Sequence, residues 1–467
     1  MSTFLKSKEA HSTFFLGILV SIIASSRLLQ YSLKSSGFSQ GDSWAYNFGL
    51  NPDRSNLSFT GQALRRWPVV LVNTILGNDS LQILAQSIFS IFAWSILVIT
   101  LGKITRVSDY SLILITTLSA TPQVVSWNSI HLSESYAISS GILTLCFLIL
   151  YKRKKSFPFF MAICFSLFFF LNTKPSNYLA FLAVCSFMVL LKSSRSALRG
   201  LEITWVKTLI LGLVILYSGI LAINQSTSDL QTDGHGESYS AAQAVAVISN
   251  VNPLANVVSQ SLTKTGKIKC LTAFSDHSPE EVTNSLKNEC HTDEKWLTED
   301  FQKWYLSFIA RNPEYVFKII ATGFTAGNSP YSLYGGSISI LPDPITSLFF
   351  GERNYAIRLS ENSASNIPIN SLEINSPIIF WAIISLAFLS IRKIKIGLGN
   401  KENTISVEAN QLFGMVSIFG FIVMAISAIS IPNEWFRQSI VGQIALLIAG
   451  IIHLERIVME IGPKLRD

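Results

Sequence analysis

Charge is sparse in this chain: Asp, Glu, Lys and Arg make up only 14% of its 467 residues, while apolar residues make up 49%. The apolar residues come in long blocks rather than in alternating or helical stripes, so a soluble globular core is excluded and a polytopic membrane protein is implied. An internal repeat of fixed period is missing, which removes one sign of a transporter assembled from repeated halves. A signal-cleavage site is missing as well. Ser25-Ser26-Arg27 puts a charge where a small residue is needed, so the first apolar run stays as a span. Cysteine is scarce: Cys146, Cys164 and Cys185 fall inside apolar runs and read as packing residues, leaving Cys270 and Cys290 in one long polar stretch as the candidate disulfide. Two unpaired loop thiols are the alternative, because pairing does not follow from sequence alone.

Runs of about 17 to 25 apolar residues are long enough to cross the hydrocarbon as helices. Such runs lie at residues 14–33, 81–101, 110–125, 136–151, 157–172, 178–191, 206–223, 378–391, 412–431 and 440–452. The expected fold is therefore all-α, with about ten transmembrane helices, several of them short for a full crossing. Basic residues gather beside alternate runs: Lys6 and Lys8, Lys103 and Arg106, Lys152 to Lys155, Lys192, Arg195 and Arg199, Arg392, Lys393 and Lys395, and Arg456. Short loops rich in lysine and arginine stay cytoplasmic, which places the N-terminus inside and makes the spans alternate from there. The net charge of +7 is then a topology signal, and no nucleic-acid partner is implied.

That topology leaves residues 34–80, 126–135, 173–177, 225–377 and 432–439 outside. The chain divides into an N-terminal transmembrane module (1–224) whose first outer loop is 34–80, an extracytoplasmic and mainly helical insertion (225–377), and C-terminal transmembrane helices (378–467). The insertion is too long for a bare connector, since structureless loops beyond about 15 residues are uncommon. Helix starts are legible in it at Ser278-Pro279-Glu280-Glu281 and at Asn312-Pro313-Glu314, with an apolar helical pattern through Trp304, Leu306 and Phe308.

Several residues at the outer ends of the spans carry chemistry. Asp42, in Gly41-Asp42-Ser43-Trp44-Ala45-Tyr46, stands just beyond the first span with Trp44 and Tyr46 beside it. A carboxylate near a low-dielectric boundary can take a proton from a hydroxyl; an exposed loop aspartate or a helix cap is the alternative. Arg65 and Arg66 open an amphipathic stretch on the outer leaflet, where two guanidinium groups suit a lipid phosphate or ordinary headgroups. His131 and Glu134, about one helical turn apart, suit proton handling or hydroxyl recognition, with a capped helix start at Ser133 as the alternative. No metal-type partners stand near them, so no metal site is indicated. Lys174 sits in a tight outer turn where the positive-inside rule disfavours it, so an anion such as a phosphate is expected opposite it; snorkelling to headgroups is the alternative. Arg437 repeats the exception between the last two spans, with Glu434 placed either to orient it or simply to pair with it.

Taken together, these positions resemble the GT-C superfamily of membrane glycosyltransferases, which take sugars from polyprenyl-phosphate carriers. The likeness covers most of the chain in layout: an acidic residue in the first outer loop (Asp42), an amphipathic segment after it (64–76), Leu132-Ser133-Glu134-Ser135 opening a span, Thr173-Lys174-Pro175-Ser176 between spans, a large outer portion, and Arg437 in a late outer loop. It departs in having a single Asp42 where many members carry a paired acidic motif, and in holding its outer domain mid-chain rather than after the last span. The resemblance implies inverting sugar transfer on the extracytoplasmic face of the plasma (inner) membrane, in the synthesis of a cell-envelope glycan. It implies Asp42 as general base, Lys174, Arg437, Arg65 and Arg66 on the donor phosphate, and Trp44, Tyr46, His131, Glu134 and Glu434 on substrate. The implied partners are membrane lipid, a polyprenyl-phosphate-linked sugar donor and a glycan, lipid or protein acceptor; no cofactor is assigned, and a divalent metal is left open but not indicated. A polymerase or ligase of lipid-linked glycans would rely instead on loop arginines such as Arg311 and Arg353. A secondary transporter would call for charged or broken spans at the bilayer midplane.

Overall fold

A computed structural model describes residues 12–35, 37, 67–105, 107–190, 204–228, 239–249, 252, 254–264, 279–286, 296–325, 343–350, 378, 380–387, 404–430 and 435–461. Among them the chain is almost wholly helical, with no strand. The first module contains α1 (Thr13–Leu33), α2 (Trp67–Leu76), α3 (Asp79–Thr100), α4 (Asp109–Ser119), the single turn α5 (Pro122–Val125), α6 (Glu134–Lys154), α7 (Phe157–Leu171), α8 (Pro175–Leu190) and α9 (Trp205–Ser228). Next come α10 (Tyr239–Ile248), α11 (Ala255–Lys264), α12 (Pro279–Asn284), α13 (Phe301–Arg311), α14 (Pro313–Thr325) and α15 (Asp343–Phe350). The chain ends with α16 (Thr404–Ser430) and α17 (Trp435–Ile461).

Six helices among the described residues are long and apolar enough to cross a membrane: α1, α3 with the turn that extends it, α6, the first 18 residues of α9, and most of α16 and α17. Of the other four expected spans, α7 and α8 are shorter apolar helices, and only residues 378 and 380–387 of another are described. The stretch expected to cross at residues 110–125 is broken. Pro122 has no N–H to donate and disfavours helix at the residue before it, so α4 stops at Ser119 and Thr121 is extended, with φ −65° and ψ 147°. The Thr121 hydroxyl donates back to the Leu118 carbonyl at 2.7 Å, satisfying one acceptor that the break leaves over. Ser108, before α4, donates through its N–H and hydroxyl to Glu455 of α17, while Ser129, beyond α5, meets Gln30 near the end of α1. The broken stretch thus still joins the two ends of the bundle. Irregular backbone at membrane depth is tolerated only inside protein, and every residue from 120 to 140 is buried.

The bundle core runs through α1, α3, α6 and α17. On α3 the buried stripe Gln82, Gln86, Ser90, Ala93, Leu97 has helical spacing, and its N-terminal half is polar. In lipid, helices gain little by excluding water from one another, so small and hydrogen-bonding side chains do much of the holding. The α16–α17 pair uses the smallest: a Cβ on Gly442 would come 2.8 Å from the Gly420 carbonyl oxygen, and one on Gly420 would come 2.7 Å from the Gly442 oxygen. Gly442→Ala is therefore expected to force the two helices apart and cost about 1–3 kcal/mol. A thermal midpoint in detergent equal to that of the wild type would refute this close approach.

The region expected as an outer insertion divides in two. Residues of α10 to α14 build a second core, in which Phe301 stacks on Tyr305 and Phe308 meets Tyr315 edge-on with ring centres 5.0 Å apart. The helix start expected at Asn312-Pro313 is present, and Asn312 closes the preceding helix by donating to the Phe308 carbonyl at 2.7 Å. This body sits on the end of α16, where the Tyr305 hydroxyl donates to the Ile429 carbonyl at 2.9 Å and Gln243 donates to that of Ser430 at 3.0 Å. Burial, with the neighbouring Tyr315 adding to it, holds the Tyr305 phenol well above its ordinary range, so it stays a neutral donor. From there α14 descends along the span, reaching Phe421 of α16 with Phe324. Phe349 and Phe350 of α15 belong to the bundle core itself, where Phe349 stacks on Trp381.

Candidate functional site

The buried polar groups of the bundle concentrate at one end, where α1, α7 and α4 with its broken extension finish and α3, α6 and α8 begin. Lys174 lies there, in the turn between α7 and α8. Its Nζ is 2.9 Å from Glu134 Oε1, with the two side chains only 5% and 2% exposed. Local sequence holds both ends of this pair. Pro175 starts α8, Thr173 Oγ1 donates to the Phe170 carbonyl, and Asn177 Nδ2 donates to Thr173 Oγ1 at 3.0 Å, so the turn is bound to itself. Glu134 occupies the first turn of α6, where the helix dipole favours a carboxylate. Lys174 stands at the start of α8, where the dipole disfavours a cation, and Glu134 offsets that. The anion expected opposite Lys174 is thus supplied by the chain.

Ser133 occupies the cap position of α6, but with φ −80° and ψ −10° its side chain makes no capping bond. His131 and Glu134 are about one helical turn apart in sequence but do not lie on one helix. Because α6 begins only at Glu134, helical spacing does not apply across them, and they engage different elements: Glu134 meets Lys174, whereas His131 turns to α3. His131 Nδ1 is 3.2 Å from Gln82 Oε1, and Gln82 Nε2 donates to the Asn73 carbonyl of α2 at 3.2 Å. The Tyr136 hydroxyl donates to Asn73 Oδ1 at 3.3 Å, and Ser135 donates to Asn128 at 2.7 Å, closing a polar layer across α2, α3 and α6. Half-exposed Asp79, at the start of α3, lies 3.9 Å from His131 Nε2.

Below this layer is a cation that sequence reasoning passed over. Arg27, fully buried in α1, donates from Nε to Ser90 at 3.1 Å and from Nη1 to Ser26 at 2.8 Å, with its guanidinium 5.9 Å from the centre of the Trp94 ring. An arginine within an apolar run is the signal that would have found it. Gln82 and Asp79 carried no local signal, since their roles come from pairing across about fifty residues of chain.

Asp42, Trp44, Tyr46, Arg65, Arg66, Glu434, Cys270 and Cys290 lie outside the described residues, as does the side chain of Arg437 in the first turn of α17. Cys146, Cys164 and Cys185 are free thiols within the helices. Among the described residues no group of three or more His, Cys, Asp or Glu is placed to hold a metal ion. Comparison of the chain with protein-family models, with curated proteins and with solved structures finds no match.

Proposed function

We propose that this integral membrane protein transfers a sugar from a polyprenyl-phosphate carrier to an acceptor at the extracytoplasmic membrane surface, with inversion, as the resemblance to GT-C glycosyltransferases implies. The observation that supports it is the concentration of buried charge and hydrogen-bonding groups, above all Lys174 with Glu134, at the end of the bundle where the first long loop begins and ends. A lipid-linked donor presents its phosphate at that level, with its chain in the hydrocarbon. In this reading Asp42 takes the proton of the acceptor hydroxyl, whose oxygen attacks the anomeric carbon. The bond from that carbon to the phosphate breaks, and its electron pair leaves with the polyprenyl phosphate. Arg437, Arg65, Arg66 and Lys174 meet the charge that develops there. Trp44, Tyr46, His131, Glu134 and Glu434 hold substrate or orient these groups. The acceptor is a glycan, a lipid or a protein, and the plasma (inner) membrane is the site of action.

Arg27 favours a second reading. A fully buried guanidinium in a span, together with a broken helix beside it, is a feature of secondary transporters. One experiment separates the two. Purified protein is assayed for polyprenyl-phosphate binding and for sugar transfer from polyprenyl-phosphate donors, and reconstituted vesicles are assayed for solute flux. Donor binding with transfer is the expected result; flux without donor binding would replace glycosyl transfer by transport.

A further inference from the structure

The hydrogen bonds around His131 determine which of its ring nitrogens carries hydrogen. The Asn73 backbone carbonyl can only accept, so the Gln82 amide turns Nε2 toward it and Oε1 toward the histidine. That Oε1 can also only accept, so His131 Nδ1, 3.2 Å away, is the donor. In the neutral ring Nε2 is then a bare lone pair. It is buried and has no hydrogen-bond partner among the described residues, and buried polar atoms of this kind are uncommon. Asp79 Oδ1, 3.9 Å from Nε2, is too far for a hydrogen bond and offers a second acceptor beside the first.

What covers Nε2 is Gly37. A Cβ there would come 2.5 Å from Nε2, and Gly37 has φ +67°, a conformation that glycine adopts without strain. Its N–H closes a turn onto the Lys34 carbonyl at 2.9 Å, just beyond the end of α1. Among the described residues, the part of the first long loop that meets Nε2 is this glycine, which carries no side chain.

We propose that His131 Nε2 and Asp79 form a hydroxyl-binding site beneath the Gly37 turn. When the turn lifts, a hydroxyl-rich group donates one hydrogen bond to Nε2 and a second to the Asp79 carboxylate. Its identity as the acceptor of sugar transfer rests on the glycosyl-transfer reading; the acceptor pair itself does not. The other charged groups at this end of the described surrounding elements are Lys34 in the turn after α1, Arg27 within α1, and the paired Glu134 and Lys174.

The site is tested first without turnover. The full chain in detergent is labelled with diethyl pyrocarbonate, and peptide mapping resolves His131 from the other five histidines. Slow labelling of wild-type His131 and labelling about tenfold faster in Gly37→Ala are expected; equal rates in the two proteins, fast or slow, would overturn the covered site. His131→Asn keeps an N–H for Gln82 and removes only the Nε2 acceptor. In the transfer assay it is expected to raise the acceptor KM about tenfold, the scale of one lost hydrogen bond. The donor KM should stay unchanged. An unchanged acceptor KM would leave His131 as a brace for Gln82 and overturn the proposal. If the wild type transfers no sugar, the glycosyl-transfer reading fails alone: slower labelling of His131 in Gly37→Ala when a soluble oligosaccharide is added is then the expected sign of the hydroxyl site, and labelling unaffected by it would overturn the site.

Discussion

Lys174→Met is expected to destabilise the protein by about 3–5 kcal/mol, because it leaves the Glu134 carboxylate buried without its cation. The loss would be read as a lowered midpoint of thermal or denaturant unfolding in detergent. A buried ion pair contributes little net stability over an uncharged pair of similar shape, so the cost lies in breaking it rather than in lacking it. Adding Glu134→Gln to Lys174→Met should therefore restore most of the stability. A double variant as unstable as the single one would show that the ion pair is not what the substitution disturbs. The stable double variant also separates structure from chemistry. If Lys174 meets the donor phosphate as well as Glu134, that variant folds yet binds polyprenyl phosphate more weakly by about 1–3 kcal/mol, the scale of a charged hydrogen bond. Unchanged donor affinity would confine Lys174 to holding α6 and α8 together.

Much of the helical framework was legible because it depends on composition over consecutive residues. The apolar runs that became α1, α3 and α16 had the length of a span, and Asn312-Pro313 marked a helix start through chemistry confined to two residues. The break at Thr121-Pro122 was misread for a physical reason: the run around it stays apolar, and burial in the bundle lets such a run do without continuous helix. Lys174 was legible as an exception to the charge rule, but its partner was not. Glu134 lies forty positions earlier, and only the antiparallel packing of α6 on α7 brings the two together. His131 shows the same limit. Its sequence neighbours suggested Glu134, while the fold gave it Gln82 and Asp79 from another helix.

Asp42→Asn is expected to lower kcat for sugar transfer by about a hundredfold or more, the usual contribution of a positioned general base. Asparagine nearly preserves the size and hydrogen bonding of aspartate, so unfolding midpoint and polyprenyl-phosphate binding should match the wild type. The contrast with His131→Asn is what gives the result meaning. A base acts on the proton in flight and its loss falls on kcat, whereas a hydroxyl-binding side chain acts on the bound acceptor and its loss falls on KM. Five positions of chain separate Asp42 from Gly37, so the loop that would bring the base to the acceptor is the one whose turn covers Nε2. In the proposed reading, lifting that turn opens the hydroxyl site to the acceptor. Under this coupling Gly37→Ala, with its cover displaced, should change kcat as well as the labelling of His131. An Asp42→Asn enzyme with near-normal kcat would remove Asp42 from the chemistry and leave the proton without an assigned acceptor in the first loop.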